Sequence, residues 1–385
     1  MKALNADIKT DPAQIGWHHI LIALLIITAS MLLSHSSNII NNFSQFQWED
    51  RLFFCHNQTT IHLLWDCFTK PSLWPGLYRP LTTNCYYFFG RLLFENTIEV
   101  YHSINLLFYL INALLLFFIS LRFLPPYWAT LPAVLFASRF AHVEVIQNTV
   151  EFQSLLSVCF SMLGILFFIH GRLSHRKLLY VFSSISLMLA LFSKETAVVV
   201  PLILALYCWL FDNRKEWKLY LIPFVISIIW LLLFITLFRG VSGYQPTGFK
   251  YLFSVSEVFY NYKFHLVDFS NIVTLNMDNI VAPEKVILYA KSGVASALFI
   301  LLFVLSCFAM HSPNWILRAG AVQKISFAFL FFIIATAPFA VLYGRLYMRY
   351  SYFGHAGLAL FLSIIIFEIF SYLELSMSKR KFMDN

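Results

Sequence analysis

Residues 101–123 read YHSINLLFYLINALLLFFISLRF, with a single formal charge, Arg122, next to the end. A run of this length matches the roughly 20 helical residues needed to cross the hydrocarbon core of a bilayer. Comparable runs lie near 15–35, 126–141, 146–170, 178–193, 197–211, 219–239, 290–310, 325–343 and 356–375. A soluble chain of 385 residues could not hide a composition that is 59% hydrophobic and only 12% charged, with mean hydropathy +0.72. In lipid every backbone polar group must be satisfied internally, and alternating strand patterns are absent, so the spans read as helices and not as a barrel. The sequence therefore predicts an all-α polytopic membrane protein, one domain over residues 1–385, with about ten spans and two long loops at 36–100 and 240–289. No small-residue cleavage site follows the first run, which reads as a retained anchor.

Orientation follows from Lys and Arg in the short connections. Fourteen lie on one side: Lys2, Lys9, Arg122, Arg172, Arg176, Lys177, Arg214, Lys215, Lys218, Arg318, Lys324, Lys379, Arg380 and Lys381. Only four, Arg139, Lys194, Arg345 and Arg349, lie on the other. This bias predicts cytoplasmic termini, with both long loops facing periplasm or lumen. A bacterial inner membrane is favoured, with the endoplasmic reticulum as the eukaryotic counterpart. The net charge of +8 is scattered over span ends, which suits anionic headgroups and excludes a nucleic-acid interface. The six cysteines show no metal spacing. Cys159, Cys208 and Cys307 read as small buried apolar groups, while Cys55 and Cys67, in one loop, are the pair available to a disulfide in an oxidising compartment.

Ionisable residues beside apolar runs are expensive and point to function. Here they collect on the predicted outer face. In QWEDRLFF, Glu49 and Asp50 are adjacent; mutual repulsion and apolar neighbours push such carboxyls toward the range useful for taking a proton. In GRLYMRYSYFG, Arg345 and Arg349 are four apart, among Tyr347, Tyr350 and Tyr352. Forked guanidinium donors suit a phosphate or pyrophosphate at headgroup depth, although interfacial anchoring would use the same residues. FSKET places Lys194 and Glu195 in a tight turn, Lys194 as a phosphate contact and Glu195 as the group fixing it. AHVEV offers His142 and Glu144, suited to a sugar or acceptor but too few to make a metal site by themselves. Arg79, in YRPL, follows a stretch broken by Pro71 and Pro75.

These motifs together resemble one group of C-type glycosyltransferases, the protein O-mannosyltransferase-like family that includes the transmembrane and tetratricopeptide-repeat enzymes. The resemblance runs in order through Trp48-Glu49-Asp50, Tyr78-Arg79-Pro80-Leu81, His142-Val143-Glu144, Ser193-Lys194-Glu195 and Arg349-Tyr350-Ser351-Tyr352, covering residues 45–355. It implies a bundle of the C-type fold and transfer of a sugar from a polyprenyl-phosphate donor to a protein, glycan or lipid acceptor. It also implies a catalytic base at Glu49 or Asp50 and a donor phosphate held by Lys194, Arg345 and Arg349. Arg79, His142, Glu144, Glu195, Tyr350 and Tyr352 would line the substrate site. The chain departs from the family in having Glu49-Asp50 for two aspartates. It also has Glu151-Phe152-Gln153-Ser154 where relatives carry Gly-Arg-x-Asp, with Glu151 as the candidate replacement. No tetratricopeptide repeats follow. A divalent cation, Mg or Mn, is left open, with Glu49, Asp50, His142 and Glu144 as its ligands. The rival functions are a transporter of lipid-linked intermediates, which would use internal repeats and midplane polar groups not seen here, and a non-catalytic assembly subunit of the same fold.

Overall fold

The computed structural model describes residues 16–42, 63–69, 78–95, 97–211, 218–233, 255–270, 319–340 and 348–383, and every regular element among them is helical. The principal helices are α1 (Trp17–Asn42), α2 (Tyr86–Phe94), α3 (Ile98–Ser120), α4 (Pro126–Ala137), α5 (Phe152–Ser174), α6 (Lys177–Ser193), α7 (Val200–Phe211), α8 (Lys218–Leu233), α9 (Val255–Ser270), α10 (Ala319–Ala340) and α11 (Tyr352–Met383). Five of these regions are long and apolar enough to cross a membrane: Trp17–Ser36, Ile98–Ser120, Thr149–Ser174, Gly320–Ala340 and Arg349–Glu374.

That is half of the predicted number, counted among the described residues. The apolar runs at 126–141, 178–193 and 197–211 fold into helices of 12, 17 and 12 residues, and of the run 219–239 the residues up to Leu233 are described, as a helix of 16 from Lys218. At about 1.5 Å per residue, α4 rises about 18 Å, well short of a hydrocarbon core about 30 Å thick. Continuous hydropathy runs past helix ends that backbone geometry breaks. The remaining run, 290–310, lies outside the described residues, as do most of the loop 240–289 and residues 43–62 and 70–77 of the loop 36–100.

The helices pack as antiparallel neighbours. Between α5 and α6 the chain reverses at His175, whose φ of 56° is the left-handed conformation that closes many helices. The pair is joined across its length by Ser157 Oγ to Ala190 O (3.2 Å) and Ser183 Oγ to Gly164 O (2.7 Å). Interhelical hydroxyl bonds of this kind and small residues replace the hydrophobic drive that lipid cannot supply. The α10–α11 crossing is closer still: a Cβ on Gly357 would stand 2.5 Å from Phe332 N, so only glycine fits. Asn261 Nδ2 donates to Ala340 O (2.8 Å), and Tyr262 Oη to Ile333 O (2.8 Å), docking α9 on α10.

Alternation of direction brings the C-terminal ends of α4 and α6 to the same end of the bundle as the N-terminal ends of α5 and α11. The segment before α2 is locked to that end as well. Pro80–Cys85 forms a π-helical turn; Thr82 Oγ1 donates to Ser193 O (2.7 Å), and Asn84 Nδ2 to Cys67 O (2.8 Å). Cys67 and Cys85 are buried free thiols, and Cys55, the other half of the predicted pair, lies outside the described residues.

Candidate functional site

At this end of the bundle, side chains from four separated motifs converge. Arg79, at the entry to the π-helical turn, is fully engaged: Nε donates to Glu195 Oε2 (2.7 Å), Nη2 to Glu195 Oε1, and Nη1 to Gln153 Oε1. The forked guanidinium matches a carboxylate at two points, the geometry for which Arg is suited. Burial alone would raise the Glu195 carboxyl, but the Arg79 guanidinium and then Lys194 hold it below the usual carboxylate range. Its side chain keeps 30% exposure, so this edge of the cluster is open.

Beside that closed pair lies a looser group. Lys194 is buried at 4% exposure, and its Nζ donates to Ser154 Oγ (2.6 Å). Ser154 Oγ in turn donates to Glu151 Oε2. Glu151, at 2% exposure, stands between two cations, with Oε2 3.6 Å from Lys194 Nζ and Oε1 3.4 Å from Arg349 Nε. Both separations are ion-pair contacts too long for good hydrogen bonds. Burial draws the Lys194 ammonium below its ordinary pKa despite the attraction of Glu151. Tyr350 stacks on Phe339 with ring centroids 4.6 Å apart, and Lys194 Nζ lies 6.0 Å from the Tyr350 ring, an aromatic wall along the cations. Among the described residues the cluster brings together three cations, Arg79, Lys194 and Arg349, and two carboxylates, Glu151 and Glu195.

Arg79, Lys194, Glu195, Arg349 and Tyr350 are therefore brought together, whereas His142 and Tyr352 are not among them. These two belong to a second, neutral network inside the bundle. Tyr109 Oη lies 2.9 Å from His142 Nδ1, and His142 Nε2 lies 3.0 Å from His355 Nδ1. Asn112 Nδ2 donates to both Tyr352 Oη and Leu155 O, each at 3.0 Å. His142 is wholly buried, and burial, then His355, holds its imidazole far below the ordinary pKa. A neutral ring, with one nitrogen donating and one accepting, satisfies both contacts. Both ring nitrogens are thus engaged, and His142 is turned away from the ligand role that its spacing from Glu144 suggested. Glu144 is half-buried on the short helix Val143–Gln147.

No group of three or more His, Cys, Asp or Glu able to hold a metal occurs among the described residues. Glu49, Asp50 and Arg345 lie outside the described residues, so the predicted base and one predicted phosphate contact have no stated position. Gln153 and Ser154, ligands of Arg79 and Lys194, were legible only as a departure from the family pattern; their signal is three polar residues, with Glu151, opening an otherwise apolar helix. His355 gave no signal beyond being a lone histidine in an apolar run. No family model matches the chain, and no curated protein matches it.

Proposed function

We propose that the protein is a glycosyltransferase that moves a sugar from a polyprenyl-phosphate donor to an acceptor on the extracytoplasmic side of the membrane. The observation that carries this reading is the convergence of Arg79, Lys194 and Arg349, from three distant motifs, into one sheltered cluster, since cations gathered in this way favour an anionic ligand such as a phosphate. Glu195 holds Arg79 in place, and Lys194 and Arg349 are the cations assigned to the donor phosphate.

In the proposed reaction the acceptor hydroxyl oxygen bonds to the anomeric carbon as the bond from that carbon to the phosphate oxygen breaks. The hydroxyl proton passes to Glu49 or Asp50, and the electron pair leaves on the carrier phosphate, whose growing charge Lys194 and Arg349 stabilise. Placing the cluster at helix ends lets the carrier's tail remain in lipid while its head meets the acceptor.

Proteoliposomes holding the full chain, a polyprenyl-phosphate sugar and mixed glycan and peptide acceptors test this. Sugar transfer that is lost in Lys194→Ala and in the Glu49→Ala, Asp50→Ala double variant supports the enzyme. Movement of the lipid headgroup across the bilayer without bond formation identifies a carrier instead.

A further inference from the structure

Two cysteines of the first long loop meet in a small core of their own. Cys67, on the short helix Asp66–Thr69, is fully buried, and Cys85, the last residue of the π-helical turn, keeps 9% exposure. With Phe88 they form a packed cluster separate from the main core, covered by Phe68 and Leu81. Hydrogen bonds tie the two backbone segments together: Asn84 Nδ2 donates to Cys67 O (2.8 Å), and Tyr78 Oη to Phe68 O (3.3 Å). We infer that Cys67 and Cys85 are the two halves of a disulfide that closes residues 68–84, Arg79 among them, into a covalent ring. The inference goes beyond the transfer reaction and rests only on the outward placement of loop 36–100 in the reading above.

A bridge needs Cα atoms within about 7 Å, and Asn84, the chain neighbour of Cys85, already reaches the Cys67 carbonyl. Burial, then the nearby Cys67 sulfur, pushes the Cys85 thiol up to about 12, so the packed pair is protonated and slow to react. Oxidation therefore precedes closure of the cluster, which afterwards shields the bond from reductants; this is the behaviour of a structural bond and not of a switch. The Lys and Arg bias assigns loop 36–100 to the periplasm or lumen, where disulfides form and persist. The oxidant is a disulfide-carrying protein or small molecule of that compartment. One cysteine thiolate attacks it, forming a mixed disulfide and expelling a thiolate, and the second then attacks the first sulfur and expels the other. Cys67 and Cys85 together lose two protons and two electrons, and the oxidant is reduced to two thiols.

Peptide mapping of the full chain from native membranes tests the inference, with denaturation in N-ethylmaleimide, no reductant, and mass spectrometry of the digest. A linked peptide pair holding Cys67 and Cys85 is expected in most molecules, with Cys159 and Cys208 alkylated, and the link should persist in Cys55→Ser. A bond from Cys67 to Cys55 overturns the assignment. So does alkylation of both Cys67 and Cys85, and membranes treated with copper phenanthroline then separate the two causes. A bond formed only under that oxidant overturns the outward orientation; continued alkylation overturns the pairing and leaves the phosphate reading standing. Dithiothreitol should lower the thermal unfolding midpoint of wild type by about 3 °C or more and leave that of Cys85→Ser unmoved. Equal shifts in the two proteins count against the bond. If Cys85→Ser does not fold, the wild-type map decides alone.

Discussion

Two buried polar regions lie at one end of this bundle, and they are built on opposite principles. One is ionic: Arg79, Lys194 and Arg349 gather around Glu151 and Glu195. The other is neutral: Tyr109, His142, His355, Asn112 and Tyr352 join through uncharged hydrogen bonds. Four residues of one turn serve both, since Arg349 faces the charges while Tyr352 faces the neutral chain. A neutral network of hydrogen bonds fixes a unique packing. An ionic one also sets up a field that a charged ligand can use. The difference teaches that burial of polar groups is by itself no sign of a site, whereas charges converging from distant motifs are a reason to look for one.

The comparison breaks most visibly at Arg79. Arg79→Ala would strand Glu195 and Gln153, and thermal unfolding in detergent should show a loss of about 2–3 kcal/mol; that is below the 3–5 kcal/mol of a fully buried broken pair because Glu195 retains exposure. Little change would mean that the ionic region is not structural. Next in size is Lys194→Met, which keeps much of the packing volume but removes a cation, and should lower sugar transfer about 10²-fold with KM less affected than kcat. His142→Gln should cost about 1–3 kcal/mol for a partner left unsatisfied, with transfer rate retained; a comparable loss of transfer would place His142 in the chemistry after all. The smallest effect belongs to Tyr352→Phe, which removes a single acceptor of Asn112 and should cost about 1 kcal/mol.

Acid sensitivity separates the regions in a different way. His142 has a folded pKa far below its ordinary 6.5, so the unfolded chain binds the extra proton and stability falls as pH drops below about 6.5. Glu195 is held below its ordinary 4.5, so its stabilising share is full above that value and is lost as pH falls through the lower folded value. Unfolding measured from pH 8 to 4 should show a slope that begins near 6.5 and is reduced in His142→Gln.

Much of the ionic region was legible because charge in an apolar sequence is conspicuous. Arg79, Lys194, Glu195 and Arg349 stand out one by one, and the order of their motifs links them. The neutral network was not legible, since Asn112, Tyr109 and His355 sit among apolar neighbours where asparagine, tyrosine and histidine pass as tolerated exceptions. The stretch from Glu151 to Ser154 is the instructive case. It looks like decay of the family pattern, yet it provides partners for both Arg79 and Lys194, a substitution visible only once the helices are packed. Of the ten predicted spans, five stand as long apolar helices among the described residues; hydropathy measures apolar length, not the place where a backbone turns, as α4 illustrates.

The brevity of α4 has an outcome of its own. Its chain reverses after 12 residues, while α3 beside it continues for 23. Where an apolar element is shorter than the hydrocarbon thickness, a bilayer adapts by thinning around it. On the proposed function, local thinning beside α4 would lower a carrier headgroup part of the way toward Lys194 and Arg349.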